Sequence, residues 1–222
     1  MNKVTAIIAA RSGSVRVKNK NLRPFYQSSL LELKIKQLLT LPSVEKVIVN
    51  SNDEEILKVA EITGADIVKR DEIYATNESN MSDVFKNIAE NCPSENILYA
   101  NCTNPLVENS SYEKAINIFF NKKEEFDSVV SCHDIKEFMY RDFKPLNYDP
   151  KNQIRSQDLP DIVALNFAIS VISREQMIQS RNIIGSSPFF YKLDEFESVD
   201  IDTEFDFFVA ESLYKKKQGD IQ

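Results

Sequence analysis

Four glycines, a single histidine and no tryptophan in 222 residues remove several chemistries at once. Gly13 is the lone glycine of the turn after the first predicted strand, so a GxGxxG dinucleotide fingerprint cannot be written there. A Walker A loop fails as well, for want of Gly-Lys-Ser/Thr. His133 alone gives a histidine-based zinc site or a Ser-His-Asp triad little to work with, and it reads as structural or merely exposed. Cys92, Cys102 and Cys132 are odd in number and form no CxxC pair, which fits buried free thiols in a reducing cytoplasm. Basic excess is also missing. Lys plus Arg number 27 against 34 Asp plus Glu, a net charge of −7, which argues against a partner of nucleic acid polymer type while leaving room for a local cationic pocket. The first apolar run, Val4–Ala10, is too short to span a bilayer and follows no secretory signal, so no membrane partner and a cytoplasmic location are expected. Chemistry therefore falls to carboxylates, lysines and arginines.

What is present is a hydrophobic content of 42%, enough to fill the core of one α/β domain over residues 1–222. Val4–Ala10 is nearly continuously apolar, as a parallel strand covered on both faces must be. Ser29-Leu-Leu-Glu32 reads as a capping box opening a helix with Leu31, Ile35 and Leu38 on one face. Strands are expected at Lys46–Ser51, Ile67–Val68, Ile97–Ala100, Ser128–Ser131, Leu165–Ile172 and Ser198–Ile201. Ser51-Asn-Asp-Glu54 and Ser110-Ser-Tyr-Glu113 read as further capping boxes, Gly64 as a helix stop, and Ser82–Glu90, Glu175–Gln179 and Glu204–Tyr214 as helices. This rhythm predicts a mainly parallel, Rossmann-like sheet with helices on both faces and ligands beyond the carboxyl ends of its strands. Between Ile135 and Pro160 the rhythm fails in a stretch rich in Tyr, Phe, Pro, Asp and Arg, which reads as an inserted arm for self-association or a lid. Lys215–Lys217 reads as a solvated end.

Two segments carry the chemistry. Directly after the first strand, Arg11-Ser12-Gly13-Ser14-Val15-Arg16-Val17-Lys18-Asn19-Lys20-Asn21 combines a Gly/Ser turn, rich in backbone amides, with Arg11, Arg16 and Lys20, the ingredients of a triphosphate cradle. Near the other end, Ser198-Val199-Asp200-Ile201-Asp202-Thr203-Glu204 puts Asp200 and Asp202 on the same side of an extended segment, about 7 Å apart. Carboxylates so placed can hold Mg²⁺ bridging phosphate oxygens; the competing reading is that Asp202 to Asp206 cap the last helix.

Taken together, the two ends resemble the CMP-sialic acid synthetase (acylneuraminate cytidylyltransferase) family, with CMP-Kdo synthetases as more distant relatives. The resemblance continues through Ser51-Asn52-Asp53-Glu54, Arg70, Cys102-Thr103-Asn104-Pro105-Leu106, Arg155-Ser-Gln157-Asp158-Leu159-Pro160 and Asn166-Phe167-Ala168-Ile169, in the family's order. It implies a cytidylyltransferase moving CMP from CTP to a small acidic sugar, with release of pyrophosphate and Mg²⁺ as cofactor. Arg11 and Lys20 would bind the phosphates, with Ser12, Gly13 and Ser14 lining the loop. Asn21 and Arg70 would contact ribose or cytosine, and Asn80 would stand beside the base. Asp200 and Asp202 would hold magnesium. Asn101, Thr103, Arg155, Gln157 and Asn166 would face the acceptor. The family's dimer arm corresponds to the irregular stretch, so a homodimer is implied, with residues 135–160 as the inserted arm.

Three departures bear on these roles: Asn101 stands for the family's Gln, Phe167 for the Gly that follows the sugar-facing Asn, and Val15-Arg16 for Lys-Gly. Phenylalanine cannot adopt every conformation open to glycine. The first two departures leave open a different acceptor, such as a shorter sugar acid or a phosphonate. A catalytically silent nucleotide-binding homologue is the other alternative, against which the retention of Arg11, Lys20, Asp200 and Asp202 argues.

Overall fold

The computed structural model describes residues 2–13, 16–76 and 78–220. Its strands β1 (Val4–Ala9), β2 (Val44–Ser51), β3 (Asp66–Lys69), β4 (Asn96–Ala100), β5 (Ser128–Ile135), β6 (Ile162–Ser173) and β7 (Pro188–Lys192) form one sheet in the order β7-β5-β6-β4-β1-β2-β3. All pairings are parallel except those of β6, which runs antiparallel to both β4 and β5. The expected mainly parallel α/β sheet is therefore present, with one reversed strand inside it.

The apolar character of β1 follows from its central place. Val4, Ala6 and Ile8 point into one layer, packed with Leu31 and Ile35 of α1 (Leu30–Leu39), Ile56 of α2 (Glu54–Thr63), Ile116 of α4 (Asn109–Asn121) and Phe207 of α6 (Glu204–Gln218). Ile7 points the other way, toward Val84 and Ile88 of α3 (Met81–Glu90) and Met177 of α5 (Arg174–Ser180). A strand roofed on both sides has no position for a polar side chain to reach water, so alternation disappears from its sequence.

Several local readings shift. Ser29 does cap α1, but Glu32 turns its carboxylate to the Ser28 and Ser29 hydroxyls. At the second box the cap is Asp53, whose Oδ1 accepts from the amides of Glu55 and Ile56; Ser51 stays in β2 and accepts from the Asp53 amide. A carboxylate two residues nearer the helix outcompetes the hydroxyl. The third box does not form: α4 begins after Glu108, and Glu113 instead accepts from the amide and hydroxyl of Ser43. Ser198–Ile201 is not a strand but a non-repetitive segment, tied in by the Ile201 amide to the Thr103 carbonyl at 2.9 Å. The sheet gains instead β7, an edge strand that opens on Pro188, where a missing N–H is tolerated. Lys215–Lys217 lie within the last turn of α6, opposite the negative end of its dipole.

Two features of β5 and β6 position the rest. Between Leu165 and Ser170 the β5–β6 register shifts, and within this bulge Phe167 has φ 52°. Beyond the ends of β5 and β6 the irregular stretch forms a small hairpin, Tyr140–Arg141 against Lys144–Pro145, with its base closed by Lys136 donating to the Leu159 carbonyl and the Asp161 carboxylate.

Candidate active site

The basic loop leaves β1 at its carboxyl end and crosses the top of the sheet, where the strand ends of β1 and β4 leave a crevice. The cleft there is about 270 Å³ and is lined by Arg11, Arg16, Lys20, Asn21, Asn101, Cys102, Thr103 and Asp202. A smaller recess of about 40 Å³ continues beneath the loop past Ser12, Gly13 and Asn19 to Asp53 and Glu55 at the start of α2. A larger groove of about 550 Å³ lies behind the cleft wall, between α1, α4 and the end of α6, and holds none of the residues expected to do chemistry.

Each cation of the cleft is positioned by a distinct bond. Arg11 donates to the carbonyl of Ala75 at 3.1 Å. Lys20 donates to the carbonyl of Ile201 and stands 3.8 Å from Asp202. Arg16 pairs with Asp202 at 2.8 Å. The loop is further fastened by Arg23, bonded to both oxygens of Glu204 and stacked 4.4 Å over Phe207, which binds it to the first turn of α6. Gly13 has φ +75° and open space where a Cβ would stand, so its backbone conformation rather than crowding is what calls for glycine. Asn52 steadies the turn, accepting from the Ser12 amide at 3.2 Å and donating to the Ser12 hydroxyl at 3.0 Å and to Glu72. Ser14 lies outside the described residues.

Arg70 is 5% exposed, behind Arg11. Its guanidinium donates to the side-chain and main-chain oxygens of Asn50 at 2.6 and 3.0 Å. Burial lowers its pKa, the neighbouring Tyr99 opposes that and Arg11 adds to it. Arg70 lies outside the cleft lining, but its guanidinium, held on neutral Asn50 oxygens and within electrostatic reach of Arg11, adds positive potential favourable to an anion.

Of the carboxylate pair, Asp202 lines the cleft, whereas Asp200 lies outside its lining, beside Thr103 of the cleft wall. Asp200 is bonded to the Thr103 side chain, and although the residue reaches the surface its carboxylate is hemmed in by protein. Loss of hydration pushes its pKa up; the Thr103 bond opposes that, Asp202 adds to it and Lys20 opposes it. Asp202 does not serve as a helix cap. The capping box of α6 is made by Thr203 and Asp206, leaving the side chain of Asp202 to the cleft. Among the described residues no cluster of three or more His, Cys, Asp or Glu could enclose a metal. Two carboxylates nevertheless suit Mg²⁺, which commonly takes one or two protein ligands and completes its shell with water and phosphate.

Of the expected acceptor residues, Asn101 and Thr103 line the cleft, and Asn101 donates to the Phe167 carbonyl at 3.1 Å. Asn166 is buried and committed inside the bulge: it accepts from the Ser131 hydroxyl at 2.5 Å and from the Ala168 amide, and donates to Ser198 at 3.4 Å. Arg155 and Gln157 are exposed and outside the cleft lining, and Arg155 is paired with Asp158 at 2.7 Å. Asn80 caps α3, accepting from the Ser82 amide, and is likewise outside the lining. Cys102 and Asn52 lie in segments that carry the family resemblance but had no individual site role in the sequence; Cys102 is a cleft-wall residue and Asn52 holds Ser12.

A family model described as "Cytidylyltransferase" matches residues 5–159. The chain belongs to the cytidylyltransferase family. It is 27% identical to the pseudaminic acid cytidylyltransferase of Campylobacter jejuni, over 94% of this chain and 95% of that one. It is 26% identical to the N-acylneuraminate cytidylyltransferase of Escherichia coli O18:K1:H7, over 97% of this chain but only 53% of that protein, so it spans about half the length of that relative. Among solved structures, CMP:2-keto-3-deoxy-manno-octonic acid synthetase complexed with CTP superposes with a TM-score of 0.73 over 97% of this chain and 99% of that one, at 12% identity, which speaks to the fold. No helix of this cytidylyltransferase is, among the described residues, long and apolar enough to cross a membrane.

Proposed function

We propose that the chain transfers CMP from CTP to a 2-keto sugar acid of the nonulosonate type, with release of pyrophosphate. The observation that carries this reading is the meeting of Lys20 with Ile201 and Asp202, which closes the basic loop and the carboxylate segment around one cleft. In the reaction an acceptor oxygen forms a bond to the α-phosphorus, the bond from that phosphorus to the pyrophosphate oxygen breaks, and pyrophosphate departs with the electron pair. Arg11 and Lys20 hold the phosphates and stabilise the leaving charge, the kind of fixed electrostatic support such transfers need most. Asp200 and Asp202 would hold Mg²⁺, whose chemistry there is to neutralise phosphate charge and lower the pKa of the acceptor hydroxyl. Arg16 must then release Asp202, and its guanidinium is freed for the phosphates.

The acceptor reading rests on relatives named for pseudaminic and N-acylneuraminic acids. Phe167 argues for a pocket of its own shape. Its carbonyl is held by Asn101 of the cleft wall and its side chain packs against the buried cluster of Ile7, Val84, Tyr99 and Ile172. N-acetylneuraminate itself is therefore expected to be a poor substrate.

Self-association belongs to the same proposal. The hairpin turn puts Asp142 and Phe143 at φ 51° and 62°, a conformation usually left to Asn and Gly, with Phe143 100% exposed. An aromatic kept in a strained position and facing water is accounted for if a second copy covers it. In a two-fold dimer Arg155, carried on the same arm, would be available to the partner's acceptor.

The test is a thermal shift series with CTP, UTP, ATP and GTP, each with Mg²⁺, followed by pyrophosphate release with a panel of sugar acids. CTP at a hundred times its Kd should stabilise the protein by about 2.7 kcal/mol. Equal shifts for all four nucleotides would remove the cytosine preference, and no pyrophosphate with any acid would remove the acceptor class.

A further inference from the structure

Under the cleft wall lies a lysine that the transfer chemistry does not touch. Lys34, on the inner face of α1, is 1% exposed. Its ammonium donates to the carbonyl of Asn104 at 2.9 Å, to the Tyr112 hydroxyl at 2.8 Å and to Oε1 of Gln37 at 3.0 Å. None of these acceptors is a carboxylate, so the charge is hydrogen-bonded without being neutralised. Asn104 ends the turn whose preceding residues, Asn101, Cys102 and Thr103, form one wall of the cleft. The Asn104 side chain donates to the Val199 carbonyl at 3.2 Å, and the Thr103 carbonyl accepts from the Ile201 amide at 2.9 Å. The turn that Lys34 anchors is thus also the support on which the Asp200–Asp202 segment rests.

We propose that Lys34 is a positioning residue for the transfer reaction: it fixes the cleft-wall turn through the Asn104 carbonyl, and its buried charge and an anionic nucleotide in the cleft favour one another. The inference rests on the nucleotide-transfer reading above.

Three features support it. Burial brings Lys34 down to about 7, with Cys102 opposing and Lys217 reinforcing the shift, so its charge is undecided near neutral pH. The groups facing it are Cys102 from the turn, Tyr112 from α4 and Lys217 from α6, the last paired with Glu108. Burial pushes the pKa of Tyr112 up, Cys102 and Glu197 adding to it, and pushes Cys102 up to about 12, so both stay neutral. Cys102 lines the cleft and is influenced by the charges of both Lys34 and Lys20, so one cleft residue is within electrostatic reach of the buried lysine. Finally, the hydrogen bonds suit both states. An ammonium donates three times; an amine donates to Asn104 and Gln37 and accepts from the Tyr112 hydroxyl. Neither state leaves an orphaned group at Lys34, so the field from the cleft can decide between them. A bound triphosphate selects the ammonium, and by linkage the protein takes up a proton as it binds.

The experiment is calorimetric titration of CTP with Mg²⁺ at pH 8, in two buffers of different ionisation heat, on the intact protein and on Lys34→Met. Proton exchange by CTP itself and by the rest of the protein is common to both proteins and cancels in the comparison. The intact protein should take up about half a proton more per CTP than the variant, as follows if a midpoint near 7 rises to about 8 or above. The variant should also lose the decline in CTP affinity between about pH 7 and 9. Equal uptake by the two proteins overturns the role of Lys34 while leaving nucleotide transfer intact; absence of CTP binding by the intact protein overturns both. Should Lys34→Met fail to fold, carbon-13 lysine NMR of the unaltered protein decides the matter. The lysine that titrates near neutrality should shift its midpoint upward with CTP, and an unmoved midpoint overturns the proposal.

Discussion

Arg16 and Asp202, 186 positions apart in the chain, form an ion pair of 2.8 Å across the mouth of the cleft. Arg16 is largely exposed and Asp202 about half exposed, so the pair adds little to stability, a few tenths of a kcal/mol to ~1 kcal/mol at most. What it does is hold an expected metal ligand against a cation of the basic loop. The first turn of α6 is capped independently by Thr203 and Asp206.

Asp202→Asn should therefore melt within a degree or two of the parent, roughly the shift of a sub-kcal/mol change, yet lose turnover by roughly a hundredfold or more. The loss should be only partly restored by high Mg²⁺. A folded variant with near-parental activity would reduce Asp202 to the partner of Arg16.

At position 167 the usual order of glycine and alanine should invert. The left-handed backbone of Phe167 costs a side-chain-bearing residue about 1–2 kcal/mol, which glycine does not incur. Phe167→Gly and Phe167→Ala both lose the ring packed against the buried cluster around Ile7 and Val84, but the glycine variant should be the more stable by about that amount. Urea midpoints of the two variants measure it directly, and an alanine variant equal to or better than glycine would contradict the strained turn.

Phe143→Asp should leave the fold unchanged and yield a monomer. Sedimentation velocity at micromolar concentration would show parental protein near twice the monomer mass of 25.5 kDa and the variant at that mass. Parental protein that sediments as a monomer with full activity ends the dimer proposal.

Lys34 also predicts the alkaline side of the stability profile. In the unfolded chain its pKa is the ordinary 10.5, in the folded protein about 7, so between those values the unfolded state holds a proton that the folded state has released. Stability then rises with pH across this window, and the cost of the buried charge is fully present below it. Relative to Lys34→Met, which lacks the slope, the intact protein should gain on the order of 1 kcal/mol per pH unit. Parallel profiles for the two proteins from about pH 7 to 9.5 would show that Lys34 is charged throughout.

Much of the fold can be read from the residues because the sheet is buried on both faces. Val4–Ala9 and Asn96–Ala100 have no wet side, and such runs stand out. β7 does not, since it begins at proline and lies on the edge with alternating half-exposed aromatics. Ser51 and Ser110 show why a Ser-x-x-Glu spacing is a weak guide to a helix start: Asp53 takes the first cap, and Glu113 is claimed by Ser43, 70 positions away. The basic loop and the Asp200–Asp202 pair are legible because their charges are adjacent in sequence. Arg155 and Asn166 are not, because an arm and a bulge decide where those side chains point, and neither device leaves a local mark.

The central place of β1 has a counterpart in time. In synthesis from the amino end Arg11, Lys20 and Arg23 are made before β2 to β6, while Asp200, Asp202 and Glu204 follow β6. Most of the sheet can form before the site exists, since β1 to β6 are complete by Ser173. A partly made chain thus carries a nearly finished scaffold and half an active site. Catalytic competence and the closing of the loop onto α6 arrive together, only after β6 has been made.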